Sequence, residues 1–186
     1  QEGLLSVAEG CFPKKIRSDL DAVILGMHAQ EDNPELLRAR ELNIPVYSFP
    51  EYIYEVSKNK LRVVIAGSHG KTTTTSMIMH VLRKQGMDFD YLVGARVAGF
   101  EHSVQLSNAP VIILEGDEYP ASALEKRPKI HFYHPQLSVI TGIAWDHVNV
   151  FPTYENYWEQ FRIFVDQMPA ESTLIYNAED REVFRL

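Results

Sequence analysis

The chain has 186 residues, of which 45% are hydrophobic and 23% are charged. This is the composition of a globular protein with enough apolar material for a core, so disordered and fibrous classes are excluded. The formal net charge of −7 argues against nucleic-acid or anionic-membrane partners, and the longest apolar runs are far shorter than the roughly 20 residues of a membrane helix.

The first sixty residues are predicted to form a β-α-β-α unit, the order typical of a parallel sheet. Asp21–Gly26 is predicted as a short buried strand, and Asn33 followed by proline and glutamate predicts the start of a helix that runs to about Leu42. A second strand is expected around Ile44–Tyr47, and the sequence from Ser48 has capping-box spacing for another helix.

A domain boundary is predicted at the polar stretch Ser57–Lys60, which precedes the strongest strand in the chain, Leu61–Ala66. The fold class is therefore α/β, with a partial Rossmann-like N-terminal domain in residues 1–60 and a partial phosphate-loop ATPase domain with a mainly parallel sheet in residues 61–186. Because the second unit stops just after a predicted strand, a complete enzyme is expected to need more chain. Further strands are predicted near Phe89–Val93, Pro110–Glu115, Leu137–Ile143 and Thr173–Tyr176, and a helix near Tyr154–Met168.

A glycine loop lies between the strand Leu61–Ala66 and the next helix, which is where a phosphate loop must lie. Consecutive N–H groups and the helix N-terminus face phosphate oxygens in such loops, while Lys71 would neutralise charge and Thr72 would offer a hydroxyl to magnesium. Ile65 occupies the first glycine position of the usual pattern, so an ordinary glycine turn before a helix is the alternative. The predicted phosphate-binding residues are Gly67, Ser68, His69, Gly70, Lys71, Thr72 and Thr73.

Three acids, Glu115, Asp117 and Glu118, follow the apolar run at 111–114. Carboxylates at the carboxyl end of a strand, beside a phosphate loop, are where an α/β nucleotide enzyme holds hard cations. Glu115 is the first candidate for magnesium. The alternative for each acid is a solvated charge in a turn.

His147 follows the predicted strand Leu137–Ile143 and is expected at another strand end. A neutral histidine nitrogen can ligate a metal or polarise a substrate, although a lone histidine is more often structural. His131 and His134 would point to opposite faces of an extended segment, and they are expected to be structural. Cys11 is the only cysteine, which excludes an intrachain disulfide and favours the cytoplasm.

Taken together, the motifs resemble those of the Mur ligase family. The segments that carry the resemblance are Ala66–Thr74, Glu115–Tyr119 and Ala144–His147. In addition, Asp32–Glu35 followed by Ile44–Val46 resembles the end of the family's first, UDP-binding domain. The resemblance covers essentially the whole chain, but only the latter part of domain one and the first part of the ATPase domain.

The resemblance implies an ATP-dependent amide ligase of peptidoglycan synthesis in which ATP phosphorylates the muramyl carboxylate and an amine then displaces phosphate. Two enzymes of the family that start from UDP-N-acetylmuramate are the most similar. One adds L-alanine, and the other recycles the tripeptide L-alanyl-γ-D-glutamyl-meso-diaminopimelate. Tyr119 and the long insert Lys126–Gln136 favour the tripeptide enzyme.

Roles for individual residues also follow from the resemblance. Thr72 and Glu115 would hold one Mg²⁺ and His147 a second, so Lys71, Glu115 and His147 are the expected catalytic residues. Phe151–Glu171 contains no lysine, so the carbamylated lysine of several family members is not expected here. Candidates on the substrate side are His69, Asp117, Glu118 and Tyr119.

Two other functional classes share features with this sequence. A regulatory GTPase also begins with a glycine loop and a lysine, but the chain has no Asn-Lys-x-Asp motif for reading guanine. A nucleotide-binding module without turnover remains the other alternative. The expected partners are UDP-N-acetylmuramate and an amino acid or peptide amine, without nucleic acid or membrane.

Overall fold

The computed structural model describes residues 10–186, so residues 1–9 of the predicted first domain lie outside the described part. The strands are β1 Val23–Leu25, β2 Val46–Ser48, β3 Leu61–Ala66, β4 Asp90–Leu92, β5 Val104–Gln105, β6 Val111–Glu115, β7 Leu137–Ile140 and β8 Thr173–Tyr176. The α-helices are α1 Pro34–Glu41, α2 Phe49–Ser57, α3 Lys71–Lys84, α4 Tyr154–Asp166 and α5 Arg181–Phe184, and 3-10 helices span Pro13–Lys15 and Lys129–Phe132.

The central sheet has the strand order β5-β4-β6-β3-β7-β8 and is parallel except for the pairing of β4 with β5. Strands β1 and β2 form a separate parallel pair. The α/β class and the mainly parallel sheet are therefore confirmed. In the register of the central strands, Ile65 lies beside Glu115, and Ala66 lies beside Ile140. The carboxyl ends of β3, β6 and β7 consequently meet at one edge.

Strand β3 is buried on both faces, which explains its apolar run at 63–66. Val64 and Ala66 face a core formed with α4, whereas Ile65 faces a second core formed with Met79 of α3. The two cores pack against β3 from both faces of the sheet. The loop that follows β3 therefore begins at a strand that is packed on both faces. Among the described residues, no helix is long and apolar enough to cross a membrane.

The predicted helix starts are present where the capping residues indicated. The Asn33 side chain accepts hydrogen bonds from the N–H groups of Glu35 and Leu36 at the start of α1. At the start of α2, the Glu51 carboxylate accepts from the Ser48 N–H at 2.7 Å. Each contact satisfies N–H groups that the first helical turn leaves without partners.

Helix α2 packs against the central unit through the buried side chain of Arg62. The Arg62 guanidinium donates to the carbonyls of Ser57 and Lys58 at the end of α2, and to those of Tyr133 and His134. Burial lowers the pKa of Arg62 below its usual range. The Arg62 side chain thus binds the main chain of the polar stretch that was predicted as a domain boundary.

The predicted insert Lys126–Gln136 forms part of the core. It contains the second 3-10 helix, and Ile130 and Tyr133 are almost completely buried. The expectation that His131 and His134 lie on an extended segment is wrong, because His131 is within this helix and its Nε2 lies 2.9 Å from the Gln160 carbonyl oxygen. The alternating geometry of a strand does not apply to a helical turn.

Candidate nucleotide and metal site

The glycine loop leaves β3 and enters α3 in a conformation that requires glycine. Gly67 has φ +121°, and a Cβ there would lie 2.3 Å from Thr141 Oγ1. Gly70 precedes the helix with φ +78°. Within the described chain, no side chain caps the N-terminus of α3, so its first N–H groups and its dipole remain available to an anion.

Lys71 curls back over the loop and pairs with a buried carboxylate. Its Nζ donates to the Gly67 carbonyl oxygen at 2.7 Å and to Glu118 Oε1 at 3.2 Å. Glu118 is only 1% exposed. Its Oε2 lies 3.0 Å from Lys71 Nζ, but the angle does not make a hydrogen bond, so this oxygen has no hydrogen-bond partner among residues 10–186.

Thr72 and Glu115 form a pair of hard oxygen donors beside the loop. Thr72 Oγ1 donates to Glu115 Oε1 at 2.8 Å, and the Gly94 N–H donates to Glu115 Oε2 at 2.9 Å. No group of three or more His, Cys, Asp or Glu side chains in the described range is arranged to hold a metal. Mg²⁺ commonly uses one or two carboxylates and completes its shell with water and phosphate, so Thr72 and Glu115 fit it.

His147 contacts Glu118, the carboxylate that also pairs with Lys71. Its Nε2 is 3.3 Å from Glu118 Oε1, and its Nδ1 is 2.9 Å from the Tyr119 hydroxyl. The backbone of His147 has φ +56° and is held by a hydrogen bond from its N–H to Asp146 Oδ1. Tyr119 therefore orients the imidazole ring.

Lys71, Glu115 and His147 line one cavity of about 390 Å³ at the carboxyl edge of the sheet. Helix α2 contributes Phe49 to its wall, so both predicted units form the cavity. The remaining lining residues are Leu92, Val93, Gly94, Asp117, Tyr119, Lys129 and Tyr133. A lining that combines charged groups with apolar side chains suits a ligand that carries an anion on a less polar body.

The other predicted residues occupy different positions. Asp117 faces the cavity but is paired with Lys129 at 2.5 Å. His69 does not line the cavity; its side chain is exposed, and its Nε2 is 3.9 Å from Asp146 Oδ2. Thr73 borders a separate open groove with Met77 and other α3 residues.

Sequence reasoning missed the contribution of Tyr157. The sequence predicts only that this residue lies in the helix near Tyr154–Met168, but its hydroxyl lies 2.9 Å from Ser68 Oγ and 3.0 Å from Glu118 Oε1. Burial, together with Glu118, raises the pKa of Tyr157 far above its usual range. The available signal was a hydroxyl-bearing aromatic in an otherwise apolar stripe, since a buried tyrosine usually needs a polar partner.

A glycine loop between the central strand of a parallel sheet and an uncapped helix defines an α/β protein of the phosphate-loop class. The lysine, threonine and glutamate of that class meet here at the same edge. Residues 65–185 match the family model of the Mur ligase middle domain. The chain therefore belongs to the Mur ligase family.

Similar proteins include two kinds of ligase that act on UDP-N-acetylmuramate by name. The UDP-N-acetylmuramate–L-alanine ligase of Clostridium acetobutylicum is 34% identical over 170 residues, which are 91% of this chain and 36% of that protein. The UDP-N-acetylmuramate–L-alanyl-γ-D-glutamyl-meso-2,6-diaminoheptandioate ligase of Haemophilus influenzae is 29% identical over 162 residues, which are 87% of this chain and 36% of that protein. The chain thus spans little more than a third of the length of these curated relatives.

Solved structures show the same fold. The UDP-N-acetylmuramate:L-alanyl-γ-D-glutamyl-meso-diaminopimelate ligase from Neisseria meningitides has a TM-score of 0.82 at 26% identity, with 96% of this chain and 58% of that chain covered. The MurF ligase from Thermotoga maritima, in complex with ADP, has a TM-score of 0.61 at 15% identity, with 95% and 47% covered. The second likeness concerns the fold alone.

Proposed function

We propose that this chain is part of an ATP-dependent ligase that joins UDP-N-acetylmuramate to L-alanyl-γ-D-glutamyl-meso-diaminopimelate in peptidoglycan recycling. The observation that carries the proposal is the single cavity lined by Lys71, Glu115 and His147, beside the uncapped N-terminus of α3. In a ligase of this family, such a cavity would bind a triphosphate and a carboxylate next to each other. The proposed location is the cytoplasm, because a reducing compartment suits the lone cysteine and the reaction consumes ATP.

The chemistry requires an activated carboxylate, because a bare carboxylate resists attack by an amine. The γ-phosphoryl group passes from ATP to the muramyl carboxylate and ADP leaves. The amine nitrogen then attacks the acyl carbon, loses a proton and expels phosphate. Magnesium, when bound, supplies charge neutralisation between the phosphates.

The residues of this chain have positioning and electrostatic tasks in that reaction. The loop N–H groups and Lys71 would bind the triphosphate, and Thr72 with Glu115 would hold one magnesium ion. His147, oriented by Tyr119, would hold a second. The apolar wall that includes Phe49 would exclude water from the activated carboxylate.

The observations that bear on the incoming amine point in opposite directions. The tripeptide is favoured by Tyr119, which orients His147, by the packed insert Lys126–Gln136, and by the likeness to the Neisseria tripeptide ligase. L-alanine is favoured by the higher identity to the Clostridium enzyme than to the Haemophilus one. An L-alanine ligase of de novo peptidoglycan synthesis is therefore the second candidate, and a nucleotide-binding module without turnover is the third.

The test is an amine comparison on the full-length protein that contains this chain. With UDP-N-acetylmuramate, ATP and magnesium, kcat/KM from phosphate release should be at least about tenfold higher for the tripeptide than for L-alanine, a difference of about 1.4 kcal/mol in transition-state binding. A preference for L-alanine would move the assignment to the second candidate. Phosphate release that depends on neither amine would leave the third.

A further inference from the structure

A buried network of side chains joins the phosphate loop to helix α4. Tyr157 is fully buried and packs with Phe151 and Phe161, at ring-centroid distances of 5.3 and 5.2 Å. Its hydroxyl nevertheless reaches Ser68 in the loop and Glu118 in the acidic turn. One hydroxyl group therefore contacts segments that are far apart in sequence.

The direction of the hydrogen bonds in this network follows from the donors that are present. A carboxylate only accepts, so the single hydrogen of the Tyr157 hydroxyl goes to Glu118. Ser68 then donates its own hydrogen to the Tyr157 oxygen, and Ser68 Oγ accepts from the Ala144 N–H at 2.8 Å. Every hydroxyl donates once and accepts at least once, which is what a buried network requires.

Glu118 transmits this arrangement to Lys71. A carboxylate that is 1% exposed cannot rely on water and must be stabilised by neighbouring side chains, which here are Tyr157, Lys71 and His147. An ammonium group has three N–H donors. Gly67 and Glu118 accept two of them at 2.7 and 3.2 Å, whereas the contact with the Ser68 carbonyl oxygen is long at 3.4 Å, so the third N–H can turn to a phosphate oxygen.

We propose that Tyr157 is a positioning residue of the phosphate loop, which fixes Glu118 and Ser68 so that Lys71 can turn its most weakly bonded N–H to the triphosphate. This inference rests on the proposed function in that it takes Gly67–Thr73 as the triphosphate site. The loss of the Tyr157 hydroxyl should therefore change nucleotide binding and phosphoryl transfer. It should not change the affinity for the incoming amine.

Helix α4 offers a matched control. Tyr154 also has its hydroxyl bonded to a carboxylate, that of Glu182, at 2.5 Å, but this contact lies away from the phosphate loop. Tyr154→Phe and Tyr157→Phe therefore remove the same chemical group from the same helix. Only the second change touches the loop.

The experiment measures Mg-ATP binding by calorimetry on the full-length wild type and the two variants, together with kcat and the KM values for ATP and amine. Tyr157→Phe is expected to weaken Mg-ATP binding by about tenfold, as the loss of one hydrogen bond to a charged group implies, and to leave the KM for the amine unchanged. Tyr154→Phe should leave Mg-ATP binding unchanged. Equal Mg-ATP affinity in Tyr157→Phe and wild type, or the same loss in both variants, would overturn the proposal.

A second variant covers the case in which Tyr157→Phe does not melt cooperatively. Glu118→Gln keeps the shape of the side chain and should also weaken Mg-ATP binding; unchanged binding would overturn the proposal. Where all variants fold, the effects of Tyr157→Phe and Glu118→Gln should not add, because both act through one contact. Additive effects would count against it. Wild-type protein that does not bind Mg-ATP would overturn the inference itself, whereas binding without ligation would overturn only the proposed function.

Discussion

Lys71 is the residue on which the phosphate-loop assignment most depends. Lys71→Ala in the full-length protein should lower amine-dependent phosphate release by at least about a hundredfold, because the transferring phosphoryl group loses its main cationic contact. Lys58→Ala is the control, since Lys58 is exposed at the end of α2 and pairs with Glu55. Turnover by Lys71→Ala that matches wild type at saturating ATP would contradict the assignment.

Gly67 provides a test of the loop geometry that does not require activity. Gly67→Ala should lower the free energy of unfolding by about 2 to 4 kcal/mol, because φ of +121° is unfavourable for alanine and its Cβ would meet Thr141. Gly26→Ala should change it by less than about 0.5 kcal/mol, since a Cβ there has nothing within 4 Å. Urea unfolding of both variants gives the comparison, and equal midpoints would argue against the close approach.

At the scale of residues, local motifs predicted more of the site than packing patterns did. Lys71 and His147 stand in short motifs at strand ends, and both line the cavity. Their proposed roles in catalysis stay predictions. Tyr157 could not be placed, because its spacing on α4 matches that of apolar neighbours and its partner Ser68 is 89 residues away. Periodicity reports which face of a helix is buried, not what a hydroxyl on that face contacts.

The 3-10 helix Lys129–Phe132 contains His131, which is 5% exposed. The protonation of this buried histidine makes the free energy of unfolding depend on pH. Burial lowers the pKa of His131 below its usual 6.5. As the pH falls below about 6.5, the unfolded chain binds a proton that the folded chain resists, so stability decreases. Urea unfolding at pH 7.5 and 5.5 should show a smaller decrease for His131→Gln than for wild type. His102→Gln, at an exposed position, should lose as much stability between the two pH values as wild type does. A loss of stability in His131→Gln as large as that in wild type would contradict the role of His131.

The elements that the sequence predicts best are those with a strong apolar pattern. Strands β3 and β6 contain the apolar runs at 63–66 and 111–114, and both strands were expected within one residue of their observed bounds. Strand β5 was not expected, because Val104–Gln105 is exposed on both sides and is held only by antiparallel pairing with β4. Such pairing depends on a partner, and a two-residue strand has no periodicity of its own.

At the scale of the whole molecule, the chain as given should bind Mg-ATP but should not ligate. It contains the phosphate loop and the Thr72–Glu115 pair, yet it spans only 36% of relatives such as the Clostridium enzyme. An acyl phosphate without an aligned amine is open to water. Calorimetry should show that residues 1–186 bind Mg-ATP more weakly than the full-length protein does. Phosphate release with UDP-N-acetylmuramate should not increase with either amine, and amine-dependent turnover by residues 1–186 would contradict the prediction.

The division of the chain at residue 60 remains a prediction. Ser57–Lys60 is polar, which is typical of a linker, but Arg62 binds the carbonyls of Ser57 and Lys58. Ile53 of α2 is fully buried in the same core as Tyr157. A polar segment whose main chain is bound by a buried arginine cannot be distinguished by composition from one that is exposed to solvent.

The contacts of Arg62 bear on how this part of the chain tolerates change over evolutionary time. They end on the carbonyl oxygens of Ser57, Lys58, Tyr133 and His134, and the main chain carries that oxygen whichever side chain is present. Substitutions at these four acceptor positions therefore keep the oxygens that the arginine binds, whereas a substitution of the arginine removes every one of these hydrogen bonds at once. For these hydrogen bonds, a chimera that exchanges α2 between distant relatives has to match one donor, while the buried packing of Ile53 still depends on the side chains exchanged.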